Sequence, residues 1–325
     1  MLVDSEIFHF KFKEKTMKYC FIVNPAAGKS KGKAELEDRI KKACENRGVD
    51  ATVYYTKCVG DAGEYIASFC NEHKDENIRF FACGGDGTLC EAVNGLMRAN
   101  ANDRASLGVI PVGTGNDFVR NFENSTAFFD IDAQLDAELV DIDLISCNDT
   151  YVINMVNIGF DCQVVVKTSE FKRKAFVPSK LAYICGLIVT LIKKPGAKFN
   201  ASSEKKQGEE KTLLLATFAN GSFCGGGFHS NPNASLHDGK INALFVNDVS
   251  RTRFISLVGS YKKGTHLDGS NDDILSEETS QRYEIKFAEP TNVSVDGEII
   301  KTDRLELACI PNAVKFLMPK GTSLK

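Results

Sequence analysis

Ile78-Arg-Phe-Phe-Ala-Cys-Gly-Gly-Asp-Gly-Thr88 runs from an apolar segment straight into a glycine-rich break. The run Ile78–Ala82 reads as a buried strand, and Leu89–Arg98 reads as a helix. Glycine at 84, 85 and 87 lets the backbone approach a ligand closely and adopt positive φ. Asp86 in the middle can bind a magnesium ion or orient a hydroxyl, and Thr88 can donate to a phosphate. An ordinary tight turn is the plain alternative, but the position directly after a buried strand weighs against it.

The same grammar recurs on both sides of this stretch. Tyr19–Val23 is an apolar run that breaks into Asn24-Pro25-Ala26-Ala27-Gly28-Lys29-Ser30. A helix should follow with Leu36, Ile40, Ala43 and Cys44 on one face. Ala51–Tyr55 is β-branched and aromatic, hence a strand. Asp61 with Glu64 predicts a capping box, opening a helix whose apolar face is Tyr65, Ile66, Phe69 and Cys70. Leu107–Pro111 is a further strand, and it breaks into Gly113-Thr114-Gly115-Asn116-Asp117-Phe118. Thr114 could contact a nucleotide, and Asn116 could cap the next helix. Strand and helix alternating over short connections predict a parallel sheet covered by helices. Ligands of such sheets bind at loops leaving the strand C-termini, so the glycine-bearing loops should converge on one rim. The first loop is not a P-loop, because Val23 stands where that motif needs glycine. Small residues at a helix start still leave N–H groups for an anion, with Lys29, Lys31 and Lys33 nearby.

The second half reads as antiparallel β. Tyr151–Ile158, Thr212–Asn220, Ile241–Val246, Tyr283–Phe287, Val293–Val295, Leu305–Cys309 and Val314–Met318 are short strands parted by turn residues. A helical insert is expected over 172–194, and a mobile polar loop over 200–211. Gly225-Gly226-Gly227-Phe228, followed by Leu236-His237-Asp238-Gly239, combines a turn signal with close backbone approach. Asp296-Gly297-Glu298 is either a plain hairpin turn or a pair of acids facing the phosphate rim as a general base. His229 and His237 lack a helical metal spacing and are read as non-ligands.

Composition limits the classes. The 40 basic and 43 acidic residues leave a net charge of −3, so the chain as a whole is not a polyanion binder and no nucleic-acid partner is expected. The 11 cysteines form no C-x-x-C pair, and many lie in apolar runs, which reads as reduced thiols of a cytoplasmic protein. The longest apolar run, Leu181–Ile192, is about 12 residues, short of a membrane span. No signal-peptide pattern opens the chain.

Taken together, these residues resemble the diacylglycerol kinase catalytic family in its bacterial form. The matching pieces are Asn24-Pro-x-Ala-Gly28, Gly84-Gly-Asp-Gly-Thr88, Gly113-Thr-x-Asn-Asp-Phe118, Asn157-Ile-Gly-Phe160, Gly225-Gly-Gly-Phe228 with Asp238-Gly239, and Asp296-Gly-Glu298. They stand in family order over about 300 residues. The resemblance implies a phosphofructokinase- and NAD-kinase-like α/β domain with an antiparallel β-sandwich domain. It divides the chain into an extension at 1–16, a nucleotide-binding domain at 17–143 plus 312–325, and a lipid-substrate domain at 144–311. It implies an ATP-dependent lipid kinase, with diacylglycerol as the first substrate to expect; the alternatives are a kinase of another lipid or small molecule such as a sphingoid base, phosphatidylglycerol or NAD, or a non-catalytic lipid- or nucleotide-binding regulator with the same fold. ATP would contact Asn24, Pro25, Ala26, Ala27, Gly28, Thr56, Gly84, Gly85, Asp86, Gly87, Thr88, Leu89, Cys90, Thr114 and Asn116. Magnesium would be held by Asp238 and the carbonyls of Ser235 and Lys240. Glu298 would accept the proton, with Asp86 and Asp296 as its catalytic companions. The family pattern G-G-D-G-T-x-N-E carries Cys90 in place of asparagine here, which predicts one polar contact fewer near the nucleotide. A lipid substrate implies contact with a membrane surface. The basic ends and apolar centre of Phe171–Lys194 could supply it, unless this helix packs on the sandwich. Exposed β edges make a homodimer an expectation.

Overall fold

The computed structural model describes residues 17–28, 32–160, 162–164, 166–167 and 196–325. The expected extension at 1–16, the lysines at 29 and 31, and the expected helical insert at 172–194 lie outside these residues.

In the first half, β1 (Met17–Val23), β2 (Ala51–Tyr55), β3 (Asn77–Gly84) and β4 (Ala105–Pro111) form a parallel sheet in the order β4-β3-β1-β2. Alternation along the strands feeds two cores. Ile22, Phe80 and Leu107 pack on one face with Ile66 and Leu89, while Phe21, Phe81 and Ile110 pack on the other with Leu36 and Ile40. The Phe21 and Phe81 rings sit opposite each other in register and stack at 4.7 Å. Both faces are therefore apolar, which is why these strands read as near-continuous hydrophobic runs. Three helices cover them: α1 (Gly32–Arg47), α2 (Asp61–Glu72) and α3 (Asp86–Arg98). A two-residue strand, β5 (Phe122–Glu123), follows β4 and stands apart from this sheet.

The capping box expected for α2 does not form. Gly60, at φ 86°, is the N-cap. Asp61 instead accepts from the Tyr54 hydroxyl at 3.0 Å and the Lys57 N–H at 2.7 Å. Glu64 pairs across with Arg98 at 2.7 Å. The nearby aromatic and cationic partners outcompete the local cap. Helix α3 also starts three residues earlier than read from the sequence, because the Gly84-Gly85 break ends before Asp86.

A short helix, α4 (Ile131–Leu135), capped by Asp130, leads into the second half, which is β-rich. It contains β6 (Glu138–Cys147), β7 (Thr150–Val152), β8 (Met155–Gly159), β9 (Ala197–Ser203), β10 (Glu210–Ala219), β11 (Ile241–Asn247), β12 (Leu275–Ser280), β13 (Arg282–Val295) and β14 (Glu298–Met318). Strands β8, β10, β9 and β13 pair in a closed circuit, all antiparallel. Register shifts in β10, between Leu213 and Leu215, and in β13, between Lys286 and Thr291, turn the corners. Val156, Ile158, Phe199, Phe218, Ile285 and Val293 fill the enclosed core. Helix α5 (Arg251–Lys263), which the sequence pattern did not announce, covers the outer face through Phe254, Leu257 and Tyr261. The loop expected at 200–211 is confined to residues 204–209, between the end of β9 at Ser203 and the start of β10 at Glu210. Lys198 and Glu210 pair at 2.6 Å across β9 and β10, at the base of this hairpin.

The stretch Tyr151–Ile158 is two strands rather than one, interrupted at Ile153 and Asn154. Conversely, Leu305–Cys309 and Val314–Met318 belong to one 21-residue strand, β14. It pairs with β13 at its start and runs parallel to β4 at Phe316. It bulges between Ile310 and Val314, where Asn312 takes φ 52°. The α/β sheet and the β-rich half thus share one hydrogen-bonded sheet of 13 strands among the described residues. A last short strand, β15 (Ser323–Leu324), returns to pair with β5.

Candidate active site

The loops after β1, β3 and β4 meet at one rim. Asn24 Nδ2 donates to Thr88 Oγ1 at 3.0 Å, and Asn24 Oδ1 accepts from the Ala26 N–H at 2.9 Å. Thr56 enters from the end of β2, its N–H donating to the Val23 carbonyl at 3.0 Å. The Gly113 N–H donates to the Gly84 carbonyl at 3.1 Å. A side chain at Gly113 would place Cβ 2.5 Å from the Gly85 Cα, and one at Gly28 would place Cβ 2.8 Å from the Val112 carbonyl oxygen. The glycines are therefore required by the approach of three backbones. No side chain caps the N-terminus of α3, and space lies open in front of Gly87. Those features leave the first N–H groups of a 13-residue helix for an anion.

Asp86 ties the loops. Its Oδ1 accepts from the Phe118 N–H at 3.0 Å, and its Oδ2 lies beneath Gly115. Asn116 does not cap a helix. At φ 52° it turns its Nδ2 back to the carbonyls of Pro111 and Gly113, both at 3.0 Å, and stiffens its own loop. Thr114 is exposed on that loop; Pro25 and Ala26 are exposed on the first. Leu89 faces the core, so only its backbone is available to a ligand.

Asp296-Gly297-Glu298 is the tight turn from β13 to β14. Asp296 takes φ 46° and Gly297 φ 90°. Both Asp296 oxygens are engaged, accepting from the N–H groups of Ile153 at 2.8 Å, Asn154 at 3.0 Å and Met155 at 2.9 Å. This explains the break between β7 and β8: those N–H groups point to a carboxylate instead of a neighbouring strand. Burial raises the Asp296 pKa to about 6, with the three N–H groups and the Cys90 thiol acting against that rise. Expected as a catalytic companion, Asp296 instead anchors the turn, because its lone pairs are already taken. Glu298, two residues on, is exposed. Burial raises the pKa of the Cys90 thiol, on the first turns of α3, and the nearby charges of Asp296 and Glu298 add to the rise. The turn therefore lies near the helix that begins at Asp86. The Cys90 sulfur has Asn94 Nδ2 at 3.6 Å, on the next turn of the same helix.

Ser235, Asp238 and Lys240 occupy one exposed loop. Asp238 Oδ1 accepts from the Lys240 N–H at 3.1 Å. His237 N–H leans on Ser235 Oγ at 3.5 Å. Among the described residues, no three His, Cys, Asp or Glu side chains cluster as metal ligands. A cation here would rest on one carboxylate and carbonyl oxygens. That all-oxygen set fits magnesium, which keeps much of its own water.

Two comparisons of sequence bear on this arrangement. Residues 18–147 match the diacylglycerol kinase catalytic domain, and residues 154–318 match the YegS C-terminal NAD kinase beta sandwich-like domain. The chain belongs to the YegS-like diacylglycerol kinase family. Among its relatives is the "Probable lipid kinase YegS-like" protein of Alcanivorax borkumensis, 27% identical over 281 residues, covering 86% of this chain and 90% of the relative. The crystal structure of a diacylglycerol kinase from Bacillus anthracis superposes with a TM-score of 0.68 at 22% identity, covering 95% of this chain and 99% of that one. An NAD kinase from Archaeoglobus fulgidus in complex with ATP shares the fold more distantly, with a TM-score of 0.50 at 11% identity over 93% of this chain and 94% of that one. The diacylglycerol kinase-like fold, an α/β domain joined to a β-rich domain, is therefore the one read from the sequence. Membership makes the protein a phosphotransferase.

Three residues of this family member were not singled out from the sequence. Asp117 accepts from the Gly226 N–H at 2.8 Å and sits 3.3 Å from the Arg120 guanidinium, which also donates to the Gly115 carbonyl at 3.3 Å. Burial raises the Asp117 pKa. Together they join the rim to the triple-glycine turn of the other half. The signal was the i, i+3 spacing of Asp117 and Arg120. Asp143, buried in β6, accepts from the N–H groups of Gly239 at 2.7 Å and Asn312 at 2.8 Å, which fixes the 235–240 loop to the β14 bulge. Its signal was an acid at an inward position of an apolar strand.

Proposed function

We propose that this kinase transfers the γ-phosphate of ATP to a lipid hydroxyl, with that of diacylglycerol as the first candidate and phosphatidic acid as the product. One observation carries the reading: the glycine loops after β1, β3 and β4 meet around the uncapped start of α3. The name of the Alcanivorax relative as a lipid kinase supports the acceptor class.

The triphosphate would lie along the rim formed by Asn24–Gly28, Gly84–Thr88 and Thr114, with Thr56 at its edge. N–H groups at the start of α3 would face its oxygens. Phosphoryl transfer passes through a loose transition state, so positioning and charge neutralisation dominate. Asp86 would orient the acceptor hydroxyl or a cation with the oxygen not fixed by Phe118. Glu298, which is exposed, would take the hydroxyl proton. Magnesium, where bound at Ser235, Asp238 and Lys240, would supply fixed positive charge to that loop. The acceptor must be drawn from a membrane surface, which places the protein peripherally on a bilayer. No helix among the described residues is long and apolar enough to cross one. The terminal strands β2 and β12 leave sheet edges through which a homodimer could pair.

Transfer of radiolabelled γ-phosphate from ATP to mixed micelles of diacylglycerol, a sphingoid base, ceramide and phosphatidylglycerol, with NAD as a control acceptor, tests this. Label on a lipid alone is expected. Label on NAD, or on no acceptor, overturns the assignment.

A further inference from the structure

Strands β10, β8, β13 and β14 stand side by side in register. Thr217 is opposite Asn157, Asn157 is opposite Ser294, and Ser294 is opposite Ile299. Residues directly opposite one another in antiparallel strands share a face. Their chain neighbours Phe218, Val156, Val293 and Val295 point the other way, into the enclosed core. The four side chains therefore form a row across the outer face of the β-rich half. Thr217 and Ser294 are 0% exposed and Asn157 is 7% exposed, whereas Ile299 is 37% exposed, so the row climbs from the interior to the surface. Its surface end follows Glu298 directly in the chain. Lys301, exposed, shares that face and stands opposite Asn292.

Buried polar groups ordinarily find hydrogen-bond partners. Thr217 has one: its Oγ1 donates to Asn231 Oδ1 at 2.7 Å. Ser294 Oγ and Asn157 Oδ1 have none among the described residues. Leaving two such groups unmet opposes folding, and stability given up in this way is characteristic of binding sites. A hydroxyl and a carbonyl oxygen lying unmet on neighbouring strands complement one chemical group. It is a hydroxyl, which donates to Asn157 Oδ1 while accepting from Ser294 Oγ.

We propose that Ser294 and Asn157 bind a hydroxyl on the head of the lipid acceptor, with Ile299 at the surface end of the row against its chain. This rests on the kinase reading above and names the side chains that choose the acceptor. The bound hydroxyl is either the one that receives phosphate or a second one on the same head. Lys301 beside Ile299 puts a cation next to an apolar side chain, a pairing suited to the boundary of an anionic bilayer.

The test uses the full chain and mixed micelles of dioctanoylglycerol, which has a single hydroxyl, or monooctanoylglycerol, which has a second. Ser294→Ala and Asn157→Leu should each raise the KM for the acceptor about 3- to 10-fold, the loss of one hydrogen bond to a neutral group, with the KM for ATP within about twofold. A rise with both lipids assigns the reacting hydroxyl to the pair, and a rise with monooctanoylglycerol alone assigns the second. Because the Ser294 hydroxyl has no partner to lose, Ser294→Ala should melt no lower than wild type. Thr217→Val, which breaks the bond to Asn231, should do the reverse, with a lower melting temperature and an unchanged KM for the acceptor. An unchanged KM for both lipids in Ser294→Ala, the result if the pair holds only a buried water, overturns the proposal. A lower melting temperature in Ser294→Ala, or an equal rise in KM in Thr217→Val, overturns it as well. Where wild type phosphorylates neither glycerolipid, the kinase reading with diacylglycerol fails instead, and melting temperatures decide the site. A rise given to wild type by monooctanoylglycerol micelles and lost in Ser294→Ala sustains it; no rise, or the same rise in both, overturns it.

Discussion

Replacing Asp296 by asparagine should make stability depend on pH in a defined direction. The carboxylate titrates at about 6 in the folded protein against an ordinary 3.8. The folded state therefore holds the Asp296 proton more tightly than the unfolded chain does. The contribution of the site is greatest below 3.8 and is lost as pH rises through about 6. A displacement from 3.8 to about 6 corresponds to about 3 kcal/mol. The amide of Asp296→Asn would carry no such loss. It would carry a constant cost, however: its nitrogen would face the Ile153 N–H where Oδ2 now accepts at 2.8 Å. Leaving a buried donor unpaired costs about 1–3 kcal/mol. Asp296→Asn should thus be the less stable protein at pH 4, and its deficit should shrink by up to about 3 kcal/mol by pH 8. With no tryptophan in the chain, far-UV circular dichroism in urea titrations is the assay. A stability difference that stays level between pH 4 and 8, or widens, would refute the enclosed, proton-retaining Asp296 described above.

Glu298→Gln should lower turnover by about 10²–10⁴-fold with ATP binding retained, as measured by steady-state kinetics beside calorimetric ATP titration; near-normal turnover would remove Glu298 as the base. Gly113→Ala places Cβ 2.5 Å from the Gly85 Cα and 2.8 Å from Asn116 Oδ1, so the rim must spread. Overpacking of about 1–3 kcal/mol should appear as an increase of about tenfold or more in KM for ATP. Asp238→Ala should abolish the rise in melting temperature that millimolar magnesium gives the wild type, and an undiminished rise would place the cation elsewhere.

Much of this was legible because the first half obeys local rules. Phe80 and Phe81 alternate between two cores, and each glycine break directly follows an apolar strand, so both the parallel sheet and the rim could be read from spacing. The second half was legible in kind but not in continuity. A bulge at Asn312 and a register shift between Lys286 and Thr291 look in sequence like turns between separate strands. What shows them to be internal is pairing with partners far along the chain, such as Val314 with Ile142. The function of Asp296 was hidden for the same reason: its partners lie more than 140 positions away, at Ile153, Asn154 and Met155. Cys90 was noticed as a departure from pattern, and the fold places its sulfur 3.6 Å from Asn94 Nδ2. Helix α5 carries Arg251, Arg253, Lys262 and Lys263 around a narrow apolar stripe, too narrow for periodicity to find.

The length of β14 has a consequence for shortened versions of the protein. Its last residues lie beside β4, whose Ala105–Pro111 segment is buried along its whole length. A chain ending before Asn312 would keep the β13 hairpin but strip that neighbour away, baring an apolar row of unpaired N–H and C=O groups. Such an edge recruits any strand it meets. Losing that final segment would therefore yield an aggregating polypeptide rather than a smaller catalyst, even though it supplies none of the glycine loops of the rim.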